Sequence, residues 1–277
     1  MDKSFESINR LVASAEEAFS KTTPLSKEDT LRCGVDLGTA SIILVVLNDA
    51  GEPVACEMQP CQVARDGLVV DYMGAIEITR DLAGKLEKRL GRPVINTAIA
   101  VPPGTNTRDS GAHRHVVEAA GMEVTTVLDE PTAANSVLNI NNGVVVDIGG
   151  GTTGLAVLRD GKVIHLADEA TGGIHMTLLL MHRYKMTFEQ AEEFKQNPEN
   201  HDEVYTAVLP VMEKMAGIVE KHIKPFSAEE VRLVGGTCCL TGIEDVFTSI
   251  LGIETKTPSH PMMVTPLGIA QSCKPGR

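Results

Sequence analysis

Gly34-Val35-Asp36-Leu37-Gly38-Thr39-Ala40-Ser41 runs into the apolar residues 42–47 and the turn Asn48-Asp49-Ala50-Gly51. The chain then repeats the pattern. Val144-Val145-Val146-Asp147-Ile148-Gly149-Gly150-Gly151-Thr152-Thr153 runs into residues 155–158 and the turn Arg159-Asp160-Gly161-Lys162. Each unit reads as a strand, an acidic residue near its end, a Gly-and-hydroxyl turn, a second strand and another turn. Such a duplication predicts two half-domains facing each other across a cleft, each offering a phosphate-sized loop.

The chemistry of the loops points to a nucleotide. Glycines let the backbone approach a ligand closely, and successive N–H groups in such a turn form a nest for an anion. The hydroxyls of Thr39, Ser41, Thr152 and Thr153 add donors. Asp36 and Asp147 repel a bare phosphate, so a cation is expected between. Mg²⁺ keeps several waters and is held by one or two carboxylates plus phosphate oxygens, which suits two aspartates at facing strand ends.

Two rival motifs fall away. Residues 149–154 satisfy G-x-G-x-x-G, but that dinucleotide fingerprint needs a helix directly after it. Here Leu155-Ala156-Val157-Leu158-Arg159-Asp160-Gly161-Lys162-Val163-Ile164 reads as a hairpin. The chain also has no G-x-x-x-x-G-K-[ST], which removes the P-loop class. Either hairpin alone reads as an ordinary tight turn; the pair with matched aspartates reverses that.

Composition narrows the rest. At 277 residues the chain can form two packed lobes. A net charge of −12 disfavours a nucleic-acid or anionic-membrane partner. With no Trp, three Tyr and six Phe, a base-stacking surface is also disfavoured. The longest apolar runs, residues 42–47 and 176–181, are far too short to cross a bilayer, and the N-terminus carries no secretory pattern, so a cytoplasmic location is expected. The six cysteines lack C-x-x-C spacing and read as small buried hydrophobes.

Along the chain, Phe5, Ile8, Leu11, Val12, Ala15, Ala18 and Phe19 form one stripe at helical spacing, followed by a linker over 22–29. This predicts a helix packed on the body, or alternatively a detachable docking peptide. The first lobe then reads as strands 42–47 and 53–58, a turn at 65–67, a helix 75–89, a strand 96–101, a helix 107–120, a strand 124–128 and a helix 130–140. The second adds a strand at 163–167, helices 172–186, 188–196 and 201–222, a strand 231–234 and a helix 243–251. A last helix spans 266–273, before a polar tail over 274–277. Each lobe should hold a five-stranded sheet, giving an α/β architecture.

These residues resemble the actin–Hsp70–hexokinase ATPase superfamily over 31–273. Residues 34–41 look like its first phosphate motif and residues 146–153 like its second. Leu128-Asp129-Glu130-Pro131-Thr132-Ala133-Ala134 is close to the E-P-T-A-A connecting helix of Hsp70 proteins. Val234-Gly235-Gly236-Thr237 resembles the adenosine-binding turn, and Pro266-Leu267-Gly268-Ile269-Ala270 the final connecting helix. Asp66-Gly67-Leu68-Val69-Val70-Asp71 and Ala100-Val101-Pro102-Pro103-Gly104 are also similar to the bacterial actin MreB. The short length and Thr-Pro entry look closest to the ethanolamine-utilization protein J family, which accompanies a microcompartment housing a cobalamin-dependent ammonia-lyase.

The resemblance implies a two-lobed actin-like (ribonuclease H-like) fold with duplicated mixed sheets. It implies a first segment 1–30, a first lobe 31–140 plus 264–277 and a second lobe 141–263. It also implies ATP and Mg²⁺ as cofactors. Asp36 and Asp147 would hold the metal through water, and Glu130 would position the attacking water. Gly38, Thr39 and Ala40, with Gly149, Gly150, Gly151, Thr152 and Thr153, would cradle phosphate. Gly172, Gly173, Gly235 and Gly236 would flank the nucleoside.

The Hsp70 catalytic lysine has no clear counterpart, Lys85 and Lys88 lying in a helical stretch, so slow or partner-dependent hydrolysis is expected, and chaperoning by an Hsp70-type peptide clamp is not. The implied function is an ATP-driven chaperone or reactivating factor whose client is the ammonia-lyase or a shell or cargo protein. A filament-forming actin relative, and hence a homo-oligomer, is the alternative. A metabolite kinase would need a further aspartate base, for which Asp109 is the candidate.

Overall fold

The computed structural model describes residues 3–26, 28–65 and 67–274, excepting the side chains of residues 3 and 4. Asp66 of the predicted turn and the tail 275–277 lie outside the described residues. A helix, α1 (Lys3–Glu17), precedes the first sheet. That sheet starts with β1 (Arg32–Leu37), β2 (Ser41–Leu47) and β3 (Pro53–Pro60). A two-residue hairpin, β4 (Ala64–Arg65) and β5 (Leu68–Val69), leads into α2 (Tyr72–Leu90). Next come β6 (Asn96–Val101), α3 (Thr107–Ala119), β7 (Glu123–Asp129) and α4 (Glu130–Leu138).

The second half repeats the plan with β8 (Gly143–Ile148), β9 (Thr153–Arg159) and β10 (Lys162–Glu169). Then follow α5 (Gly173–Tyr184), α6 (Phe188–Gln196), α7 (His201–Ile223), β11 (Val231–Val234), α8 (Ile243–Leu251) and β12 (Thr255–Lys256), before α9 (Val264–Ser272) returns to the first sheet.

The two sheets have the same topology. Their orders are β3-β2-β1-β6-β7 and β10-β9-β8-β11-β12. In each, the first three strands form an antiparallel meander, and the next two run parallel to the strand that opens the sheet. The duplicated motif is therefore a duplicated half-molecule.

The central strands β2, β8 and β9 are apolar on both faces because both faces are covered. Ile42, Leu44 and Val46 pack outward with Leu82, Leu86, Val116 and Val117 in one core. Val144, Val146 and Ile148 do the same with Met212, Met215 and Phe247 in a second. The alternate residues Ile43, Val45, Leu47, Val145, Ala156 and Leu158 face inward into a third core, shared with α1, α4 and α9. This third core joins the lobes.

Small residues let α4 and α9 cross closely there. A Cβ on Gly268 would overlap the Ala133 carbonyl, and one on Gly34 would overlap Ala270 N. The A-A of the connecting motif and the final P-L-G thus have a steric reason. Helix ends follow local signals: Asp71 Oδ1 accepts from Gly74 N at 2.9 Å to start α2, and Gly91 ends it at φ 68°. The final helix begins two residues earlier than expected, because the 3₁₀ turn Pro261–Met263 feeds straight into it. The stripe on α1 is packed, with Ile8, Val12, Ala15 and Ala18 buried, so the helix lies on the body of the protein as the first of the two readings expects.

Candidate functional site

Asp36 sits at the end of β1 and Asp147 at the end of β8, the matching strand of the other half. Asp147 is only 7% exposed. Its Oδ2 accepts a 2.5 Å hydrogen bond from Thr265 Oγ1 of α9. Gly235, at φ 91°, follows β11 beside it, and a side chain there would overlap Asp147 Oδ1. Glycine at 235 and threonine at 265 therefore fix this carboxylate from two sides.

Glu130 opens α4 directly after β7. The helix N-terminus is capped by its neighbour: Asp129 Oδ1 accepts from Thr132 N at 2.9 Å and Oδ2 from Thr132 Oγ1 at 2.8 Å. Capping thus gives no reason for Glu130, which is turned toward the aspartates. Burial, then the charges of Asp147, Asp36, Asp168 and Asp129, push its carboxyl well above the ordinary range. Burial and the Asp147 charge raise Asp36 to about 7. Burial raises Asp147 to about 6, against the lowering effect of its Thr265 hydrogen bond. The fold brings Asp36, Glu130 and Asp147 within one field, and adds Asp168 from the end of β10.

The glycine loops meet above them. A Cβ on Gly150 would lie 3.1 Å from Ala40 Cβ and 3.7 Å from Thr39 Cβ, so the two predicted phosphate loops face each other directly. Gly149 N donates to Thr152 O at 3.0 Å, which closes the second loop on itself. Thr153 is fully buried, and its hydroxyl donates to Thr171 O at 2.7 Å.

Gly172 and Gly173 buttress this loop at the start of α5. Gly173 N donates to Gly149 O at 3.0 Å and Ile174 N to Gly150 O at 2.9 Å. Thr237 Oγ1 also donates to Gly149 O, at 2.8 Å, tying the Gly235-Gly236 turn to the same loop. Asp109, the candidate kinase base, instead accepts from Asn106 Nδ2 at 2.7 Å at the start of α3.

Several contributors escaped the sequence reading. Asp168 is an acidic residue at a third-strand end, a signal present but unpaired with any motif. Thr265 carries none. Lys195 of α6 reaches the rim of the site, donating to Gly173 O at 3.3 Å, Thr177 Oγ1 at 2.8 Å and Glu192 Oε1 at 2.6 Å. It is a cation of the second lobe, set beside the Gly172-Gly173 turn.

Carboxylates buried together, each pushed up by burial, ionise fully only when a cation joins them. Among the described residues no three His, Cys, Asp or Glu side chains converge to hold a metal directly. The donor set therefore fits a hydrated divalent ion shared with a ligand's oxygens, and the N–H-rich loops fit those oxygens.

Comparison with known proteins agrees with this architecture. The type IV pilus assembly protein PilM family matches residues 112–266. The ethanolamine utilization protein EutJ of Escherichia coli K12 is 42% identical over 251 residues, covering 90% of this chain and 88% of that protein. The crystal structure of EutJ from Carboxydothermus hydrogenoformans superposes with a TM-score of 0.92 at 45% identity, covering 97% of this chain and 99% of that one. A structure of MreB5 of Spiroplasma citri bound to ADP shares the fold, with a TM-score of 0.67 at 17% identity over 86% of this chain and 94% of that one.

Proposed function

Since the chain belongs to the EutJ family within the PilM-like actin/Hsp70-type ATPases, we propose that it is a nucleotide-gated accessory protein of ethanolamine utilization. ATP with Mg²⁺ is its ligand, and hydrolysis is slow or prompted by a partner. The observation that carries this reading is the acidic cluster between two facing glycine loops, one from each half.

Asp36 and Asp147 would hold the ion's water shell. The ion, when bound, supplies the positive charge that a polyphosphate and these carboxylates both lack. The loops at 38–40 and 149–153 would bind phosphate oxygens, and the turns at 172–173 and 235–236 would border the nucleoside. Lys195 adds a cation at that border. Burial, and then the charges of Asp147, Asp36, Asp168 and Asp129, favour the protonated Glu130 carboxyl in the free protein. Arrival of the cation would release that proton and leave a carboxylate able to orient water. Phosphoryl transfer depends on such positioning and charge management more than on a strong base.

Binding energy would be spent on lobe closure, with ATP and ADP favouring different separations. A surface that changes with closure would then handle a protein client, namely the ammonia-lyase or a shell or cargo protein of its microcompartment. Three measurements test the reading. Calorimetric titration should show Mg²⁺-dependent ATP binding, lost in Asp36→Asn and in Asp147→Asn while both variants stay folded. Normal affinity in both would reject the site. Glu130→Gln should spare binding and slow single-turnover hydrolysis by about 10²-fold or more. Affinity capture with ATP against ADP should retain different clients, whereas ATP-dependent pelleting of the chain alone would favour a filament instead.

A further inference from the structure

The helix ahead of the first lobe takes no part in the chemistry above, yet it lies across the seam between the lobes. Its buried stripe of Ile8, Val12, Ala15 and Ala18 packs into the core that α4 and α9 share with both sheets. Its two ends are fastened to different lobes.

At the C-terminal end, Ala18 O accepts from Cys56 N at 3.0 Å and from Arg89 Nη2 at 2.7 Å. Arg89 Nε donates to Thr22 Oγ1 at 3.2 Å, and Thr23 N donates to Val54 O at 3.0 Å. Cys56 and Val54 belong to β3 and Arg89 to α2, so this end is sewn to the first lobe, partly as an added edge to its sheet. Toward the N-terminal end, Asn9 Oδ1 accepts from Ser259 N at 3.0 Å, and the Phe5 ring lies 5.2 Å beneath the Arg232 guanidinium of β11. Both partners belong to the second lobe. Glu16 also lines a cavity of about 300 Å³ behind Gly236–Cys239, the turn that borders the candidate site.

We infer that α1 is an interlobe clasp, anchored on the first lobe and releasing the second lobe at Phe5 and Asn9 when the cleft opens. The asymmetry of the two attachments decides which end lets go. Beyond the apolar core shared by both lobes, main-chain hydrogen bonds to a strand and a multiply bonded arginine hold one end, whereas one exposed side-chain hydrogen bond and one cation–π contact hold the other. Lobe rotation about α4 and α9 must either shear that second set or melt the helix, and a packed helix of 15 residues moves more easily as a body. The clasp thereby sets how readily the cleft opens. Its effect on nucleotide release rests on the reading given under Proposed function; its effect on lobe separation does not.

The test compares the full chain with Phe5→Ala/Asn9→Ala, and with Arg10→Ala as a control on an exposed position of the same helix. Spin labels at Arg65→Cys and Glu193→Cys, one on each lobe, in a Cys239→Ser background, report lobe separation without nucleotide. Fluorescent mant-ADP reports release. The double variant should show a longer and broader label distance and release mant-ADP about fivefold to tenfold faster, while Arg10→Ala matches the parent.

A double variant with the parent's distance distribution overturns the clasp, whatever its melting temperature, since a merely structural helix lowers stability without moving the lobes. Should the double variant fail to fold, Asn9→Ala alone, which removes only a surface hydrogen bond, carries the same comparison. If the parent binds no mant-ADP, the nucleotide reading falls and the distance measurement alone decides the clasp.

Discussion

Asp36 illustrates how one residue's environment becomes a property of the whole chain. Its carboxyl rises from an ordinary 3.8 to about 7 through burial and the Asp147 charge. The folded protein therefore keeps a proton that the unfolded chain gives up. The resulting stability is fully present below about pH 4 and is lost as pH rises through about 7. Without nucleotide or Mg²⁺, the melting temperature of the parent should fall more steeply from about pH 4 to about pH 7 than that of Asp36→Asn. Identical slopes in thermal melts would refute the shared field. This chemistry was half legible in sequence: the aspartates and Glu130 follow from their motifs, but Asp168 and Thr265 are brought in by β10 and α9, far along the chain.

At the scale of elements, α4 and α9 cross closely because each offers a small residue at the crossing. A methyl at Gly268 would meet the Ala133 carbonyl, a backbone atom with no room to yield. Gly268→Ala should therefore cost about 2–4 kcal/mol in urea unfolding, although alanine is the better helix former; a neutral or stabilising result would mean the helices can slide apart. Most elements were readable because their residues carry local punctuation or strong periodicity: β6, α6, β11 and α8 fall at their expected bounds. The β4–β5 hairpin and β12 escaped, since two residues hold no period. The stripe on α1 was legible as amphipathic, but pattern alone does not distinguish a helix packed at home from one that docks elsewhere. Only the partners offered by β3, α4 and α9 decide that.

For the whole molecule, the proposed function predicts that the two lobes, joined by one shared core, close on nucleotide. Small-angle scattering should show the radius of gyration shrinking on addition of ATP with Mg²⁺ but not with ATP and a chelator, and Asp147→Asn should abolish the change. Contraction independent of the metal would separate closure from the acidic cluster. The sequence alone determined that the chain is built twice and that each half ends a strand in an acid before a glycine turn, because both are local patterns of residue type. Tertiary structure alone decided that the two turns face each other, that four carboxylates share one field and that α1 spans the lobes. Those are distances between residues remote in sequence, fixed by how three cores pack at once.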